Sequence, residues 1–148
     1  MDLFRFAQKA FILNDGKILL VKKSADDPHH PNEWEVPGGR MEFGESIEEH
    51  IIREVKEEVG LDIIPGEPFE MWTWIMKKTD PNGEISRQQV VAVGRRCKAI
   101  NIDIDESGRV EDDYLADTAW VPVNKVLSYP LIPDIVPAMT KFVNLYSK

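Results

Sequence analysis

At 148 residues and 43% hydrophobic, the chain is long enough for one core and too apolar for disorder, so a single domain over 1–148 is expected. A formal net charge of −8 argues against a nucleic-acid polymer as partner, because gripping that backbone calls for a basic surface. One cysteine, Cys97, leaves no internal disulfide to form and points to a reducing cytoplasm. No apolar run approaches the roughly 18 residues of a membrane span, and no charged-then-apolar leader opens the chain.

Lys9 to Leu13 and Lys17 to Lys23 are β-type runs around Asn14-Asp15-Gly16, which predicts a hairpin. Ser24 to Asn32 is a polar loop holding His29 and His30, and Trp34 to Val36 is a short strand running into Pro37-Gly38-Gly39. A loop from Gly38 to Glu45 then feeds an uninterrupted helical stretch, Ile47 to Val59. Ser46 is its N-cap, Glu49 completes a capping box, and Gly60 supplies the left-handed C-terminal position. Ile63 and Ile64 open a strand, and Phe69 to Met76 is a separate β-rich run. The turn Asp80-Pro81-Asn82-Gly83 makes 69–79 and 85–99 an antiparallel pair. Thr118 to Val121 is a last short strand, Val123 to Leu127 a helical turn, and Ile135 to Tyr146 a C-terminal helix capped by Asp134. Strands interleaved with two helices predict an α/β fold, a mixed sheet between helices.

The first helix holds the candidate chemistry. At about 100° per residue, Ile47, Ile51, Ile52, Val55 and Val59 form an apolar stripe that faces a core. Glu54, Glu57 and Glu58 cluster beside that stripe at i, i+3 and i, i+4 spacing. Like charges so placed repel by roughly 0.2–0.5 kcal/mol each, so something positive belongs between them. A tight set of hard oxygen ligands suits Mg2+ or Mn2+. The other meaning of a Glu run is a solvated helix face, and Glu48 and Glu49 are read that way. His50 lies four residues before Glu54 on the same face. It reads as a histidine packed at the helix start or paired with acids, with a proton-transfer or substrate contact as the alternative.

From Gly39 to Leu61 the chain runs GRMEFGESIEEHIIREVKEEVGL. Gly39, Glu45, Arg53-Glu54, Glu57-Glu58 and Gly60-Leu61, with Val55 aliphatic, match in full the box that marks the Nudix hydrolases. The chain resembles that family. The resemblance implies a Nudix-type α/β/α sandwich, a divalent metal, and hydrolysis of a phosphoanhydride in a nucleoside diphosphate derivative. It implies that Glu54, Glu57, Glu58 and the Gly38 carbonyl hold metal, that Arg53 orients a catalytic glutamate, and that Glu45 supports the metal shell from the loop. His50 departs from the pattern, standing where such boxes commonly carry a small residue.

Outside the box, the family's habit of recruiting a remote carboxylate makes Glu111, Asp112 and Asp113 candidates, with Asp103, Asp105 and Glu106 behind them; a polar surface loop is the alternative. Glu54 and the 111–113 group compete for the role of general base. Trp34, Trp72 and Trp74 are candidate base-stacking platforms, the last two sharing one strand face; core or dimer-interface packing is the alternative. Arg87 and Gln89 share a face of the neighbouring strand and are candidate phosphate or base contacts, against plain solvent exposure. Lys77-Lys78-Thr79 lacks the proline or tyrosine that marks some Nudix subgroups. The leading expectation is a nucleoside triphosphate pyrophosphohydrolase, monomeric or homodimeric. A hydrolase of ADP-ribose or another nucleotide sugar, and a non-catalytic nucleotide-binding regulator, stay open.

Overall fold

Alternation along two central strands sets the architecture of the computed structural model, which describes residues 1–146. On β1 (Asp2–Asn14) and β2 (Lys17–Lys23), Ala10, Ile12, Leu19 and Val21 point to one side and Phe11, Ile18 and Leu20 to the other. The first set packs against Ile51, Val55 and Val59 of α1 (Ile47–Val59). The second packs against Ala138, Met139 and Phe142 of α2 (Val136–Tyr146). Strands with two apolar faces need a helix on each, and the product is the predicted α/β/α sandwich.

The sheet adds β3 (Trp34–Glu35), β4 (Gly38–Arg40), β5 (Ile63–Thr79), β6 (Ile85–Ala99) and β7 (Leu115–Pro122). Its order is β3-β2-β1-β6-β5, with β4 also on β1 and β7 also on β2. β1 and β6 run parallel from Asp2↔Arg87 to Leu13↔Lys98, and the other pairs are antiparallel. The first hairpin forms as predicted. Asn14 pairs with Lys17, and Asp15 and Gly16 both take positive φ (51° and 72°), the turn whose twist matches the strands.

Four local expectations change. β1 starts at Asp2, not Lys9, because β6 pairs along its whole length. The runs at 63–64 and 69–76 are one strand, since Pro65 and Pro68 sit at register shifts on a sheet edge, where no ladder donor is missed. Gly38–Arg40 is a strand paired with β1 rather than loop. Asp134 lies inside a 3-10 turn, Pro133–Ile135, whose preceding residue makes no side-chain cap.

α1 itself is rotated from the predicted stripe. Ile47 and Ile52 are 52% and 39% exposed. The buried residues are His50, Ile51, Glu54, Val55, Glu58 and Val59. Gln8 and the Gly38–Gly39 edge offer hydrogen-bonding partners to that side of the helix. Polar side chains therefore go in where partners await them. The N-cap holds, Ser46 Oγ accepting from the Glu49 N–H at 3.1 Å, and Gly60 takes φ 73° at the C-terminus. Among the described residues no helix is long and apolar enough to cross a membrane.

Candidate active site

The site forms where β4 passes the buried face of α1. Gly38 and Gly39 leave no room for a side chain. A Cβ on Gly38 would lie 2.1 Å from the Gln8 carbonyl oxygen, and one on Gly39 would lie 2.7 Å from Glu54 Oε2. The main chain thus presses directly on the Glu54 carboxylate. The Gly38 N–H donates to Glu58 Oε2 at 3.1 Å.

Arg53 ties the loop to the helix. Its Nε and Nη2 donate to the two Glu45 oxygens at 2.6 and 2.9 Å, and its Nη1 lies 3.2 Å from both Glu54 Oε1 and Glu57 Oε2. Nη2 also reaches the Arg40 carbonyl. The Arg53 hydrogen bonds, joined by the Glu42 N–H, hold the Glu45 carboxyl down at about 2. Both Glu45 oxygens are thereby engaged, and Glu45 braces Arg53 from the loop.

Burial pushes the Glu54 carboxyl up to about 7, and Asp113 and Glu57 add to it against the pull of Arg53 and Lys9. Burial raises Glu58 well above its ordinary value for the same reason, with Lys9 opposing. Asp113 is raised too, by burial first and then by Glu57 and Glu35, against Lys23 and Lys9. These groups are short of positive charge, and the protein supplies only part of it. Lys9 pairs with Glu35 at 2.5 Å, and Lys23 lies 3.4 Å from the same carboxylate. Burial works against the Lys9 charge, but Glu35 and Glu58 outweigh it and hold the ammonium above its usual value. Lys9 and Lys23 in turn outweigh burial at Glu35 and keep that carboxyl low.

Behind the glycine edge lies a polar chain that the box pattern does not reveal. Arg95, which can only donate, fixes the Gln8 amide with its oxygen inward (Nη1 to Oε1, 3.2 Å). Gln8 Nε2 then donates to the Ile47 carbonyl and to His50 Nδ1, each at 2.8 Å. The remaining ring nitrogen of His50 donates to the Gly39 carbonyl at 2.9 Å. A ring that accepts at Nδ1 and donates from Nε2 is the neutral Nε2–H form, and burial lowers the His50 pKa. His50 is fully buried; it is packed at the helix start, and its contact is the glycine strand. Glu48, read as merely solvated, pairs with Arg95 at 2.8 Å at the far end of this chain.

A cleft of about 650 Å³ opens from the carboxylates across the α2 side of the sheet. Glu54, Glu57 and Asp113 border one end, with Lys9 and Lys23 beside them. Trp72 and Trp74 form a wall, as their shared strand face predicts. Trp72 also stands edge-on to Phe11, so it serves core and cleft together. Trp34 does not line the cleft; it packs edge-on against Tyr129 in the core beneath α2, under Lys22. Arg87 is exposed and paired with Asp2, and Gln89 bonds Thr73 on the face turned away from Trp72 and Trp74. Odd-numbered β6 positions point away from the cleft and even-numbered ones line it, so the predicted face was off by one residue. Of the remote carboxylates, Asp113 borders the cleft and Glu111 lines a separate surface depression. The Asp112 side chain is outside the described set.

The NUDIX domain family model matches residues 3–146. The chain belongs to the Nudix family. It is 32% identical over 123 residues to the nucleoside triphosphatase NudI of Escherichia coli O81 (strain ED1a), covering 81% of this chain and 83% of that protein. The crystal structure of a MutT protein from Methanosarcina mazei Go1 superposes with a TM-score of 0.75 at 22% identity, over 98% of this chain and 96% of that one. A MutT NUDIX hydrolase from Burkholderia pseudomallei gives 0.67 at 25% identity, over 93% and 96%.

As a Nudix hydrolase the chain belongs among enzymes that generally use divalent metal ions. Among the described residues, no three of His, Cys, Asp and Glu stand close enough to form a ready-made cage. The donor set nonetheless fits a hard cation that takes few protein ligands and fills the rest with water and phosphate oxygen. Every candidate donor is a carboxylate or carbonyl oxygen, and burial leaves Glu54, Glu58 and Asp113 deficient in positive charge. Lys9, Lys23, Glu35, Gln8 and Arg95 escaped the sequence reading. They lie on or beside β-type runs, where a polar or charged residue reads as solvent-facing. The available signal was the position of Lys9 and Glu35 inside runs of buried apolar residues.

Proposed function

We propose that this Nudix hydrolase is a nucleoside triphosphate pyrophosphohydrolase dependent on Mg2+ or Mn2+, releasing a nucleoside monophosphate and pyrophosphate. The observation that carries the reading is the single cleft joining the carboxylate cluster to the Trp72–Trp74 wall. A flat aromatic wall accepts a nucleobase, and the carboxylate end suits a polyphosphate. The name of the E. coli relative, a nucleoside triphosphatase, points the same way.

Glu54, Glu57 and Glu58 would hold the metal, which supplies positive charge against the phosphate oxygens and a water of lowered pKa. Lys9 and Lys23 add fixed cations at that end of the cleft and lessen the repulsion that keeps a polyanion away from an acidic protein. Arg53, locked by Glu45, holds Glu57 and Glu54 in place. Glu54 and Asp113 both border the cleft and are the two groups placed to accept a proton from the attacking water.

The test is a panel of nucleoside triphosphates, ADP-ribose and nucleotide sugars with Mg2+, assayed for phosphate with and without added inorganic pyrophosphatase. Phosphate that emerges from a triphosphate only when pyrophosphatase is added supports the reading. Turnover confined to ADP-ribose or nucleotide sugars overturns it.

A further inference from the structure

Beyond the tryptophan wall the cleft carries a pair of side chains, Arg40 from a variable position of the family box and Gln88 from outside it. Arg40 ends β4, opposite Ala7 of β1, and its Nη1 donates to Gln88 Oε1 at 2.8 Å. Gln88 is on β6 opposite Met76, one cleft-facing step beyond the Val90–Trp74 pair. Both Arg40 and Gln88 line the cleft. Gln88 is only 4% exposed, yet no buried side-chain nitrogen or oxygen among the described residues lacks a partner. Among the described residues its Nε2 has no hydrogen-bond partner, and it opens to the cleft.

The orientation of that amide is dictated by chemistry. A guanidinium has donors and no acceptor, so it takes the amide oxygen and turns the NH2 group outward. Among the described residues Arg40 Nε and Nη2 have no partner. The pair therefore turns donors toward the cleft, which Arg5 and Lys78 also line. Gly38 lies in the Lys9–Gly94 row, and at 3.3–3.4 Å per residue the six strand positions from that row to Gln88 span about 20 Å. Trp74 and Met76 flank the pair on the same sheet face.

We propose that Arg40 and Gln88 form a base-reading pair that selects nucleotides whose base offers carbonyl or adjacent acceptor edges over adenine. This rests on the nucleotide reading of the cleft and deepens it. Guanine shows O6 and N7, uracil and thymine show O4, and cytosine shows O2 beside N3, away from its N4 donor. The adenine edge sets an N6 donor beside its acceptor, and that donor meets another donor here. Gln88 is a specificity determinant in this scheme and does not touch the phosphates, so its substitution acts on base preference and leaves the metal requirement alone.

The experiment compares ATP, GTP, CTP and UTP by kcat/KM with Mg2+. It also compares their binding without turnover, by quenching of tryptophan fluorescence in metal-free protein. Wild type, Gln88→Glu and Gln88→Leu are compared, each checked for an unchanged melting temperature. In wild type, ATP is expected to fall about tenfold below the best of the others, the scale of one well-placed pair of base contacts. Gln88→Glu keeps a partner for Arg40 but turns an acceptor outward. It should bring ATP level with or above the others, mainly through KM, while Gln88→Leu should erase the ranking. Equal treatment of all four bases by wild type, or a ranking untouched by Gln88→Glu, overturns the proposal. If no triphosphate turns over, the pyrophosphohydrolase reading fails on its own, and the quenching order among the four nucleotides still decides the role of Gln88.

Discussion

Glu58 and His50 show how one helix face serves both chemistry and stability. Glu58 is buried, charged-deficient and bonded to the Gly38 N–H. Glu58→Gln keeps the shape and removes the charge that a metal would meet. Turnover should drop about a hundredfold or more, since metal charge acts most strongly on the transition state, with circular dichroism unchanged. Near-normal kcat at saturating Mg2+ would show that the cluster is only a helix face. Glu57→Gln carries the same expectation. His50→Ala should act differently. It leaves the Gly39 carbonyl and Gln8 without their partner and opens a cavity, costing about 2–4 kcal/mol in urea unfolding. His50→Gln, which can still donate to Gly39, should recover a good part of that loss. A His50→Ala protein as stable as wild type would mean that the ring bonds nothing of consequence.

At the scale of elements, both ends of the box helix were legible in the sequence. Ser46, the unbroken run to Val59, and Gly60 are local signals, and local signals fix helix ends. The first hairpin was legible for the same reason. What escaped depends on partners remote in sequence. β4 is three residues long and exists because β1 pairs with it; the length of β1 exists because β6 pairs with it. The rotation of α1 could not be read from its own sequence, since it follows from Gln8 and the glycine edge. The β6 face fell one residue from expectation because nothing local states which parity meets the cleft, and a one-residue slip exchanges the faces. Trp34 belongs to this group. It enters the glycine strand in sequence, yet its ring packs on Tyr129. Trp34→Ala should therefore lower stability by about 3 kcal/mol, as for a large aromatic removed from packing, while KM for nucleotides stays within about twofold. A raised KM at an unchanged melting temperature would return Trp34 to the substrate.

For the whole molecule, the carboxylate cluster makes an unusual demand on pH. In metal-free protein the Glu54 carboxyl stands at about 7, raised by burial before any other cause, and Glu58 and Asp113 are raised likewise. The folded state thus holds protons between the ordinary carboxylate value and about pH 7 that the unfolded chain has released. A raised carboxyl contributes stability that is fully present below its unfolded value and lost as pH rises through its folded one. Metal-free protein should accordingly lose stability from pH 5 to pH 8. The groups facing the cluster are Arg53 and Glu57 from α1, Lys9 from β1, Lys23 from β2 and Glu35 from β3. Groups shifted the other way oppose the trend, and Glu35, whose carboxyl is held low, is one of them. Neutral, buried His50 contributes stability that is lost as pH falls below its unfolded value, and Glu45, held at about 2, contributes stability lost only at more acid pH. Glu54→Gln/Glu58→Gln removes two of the three raised carboxyls and leaves Asp113, His50, Glu35 and Glu45 in place, so it should flatten the slope. A divalent cation does the work of the missing protons, so its stabilising effect should be larger at pH 8 than at pH 5. Melting curves at the two pH values, with chelator and with saturating Mg2+, test both statements. A metal-free melting temperature that rises from pH 5 to 8 and matches the double variant would mean that the cluster imposes no such cost.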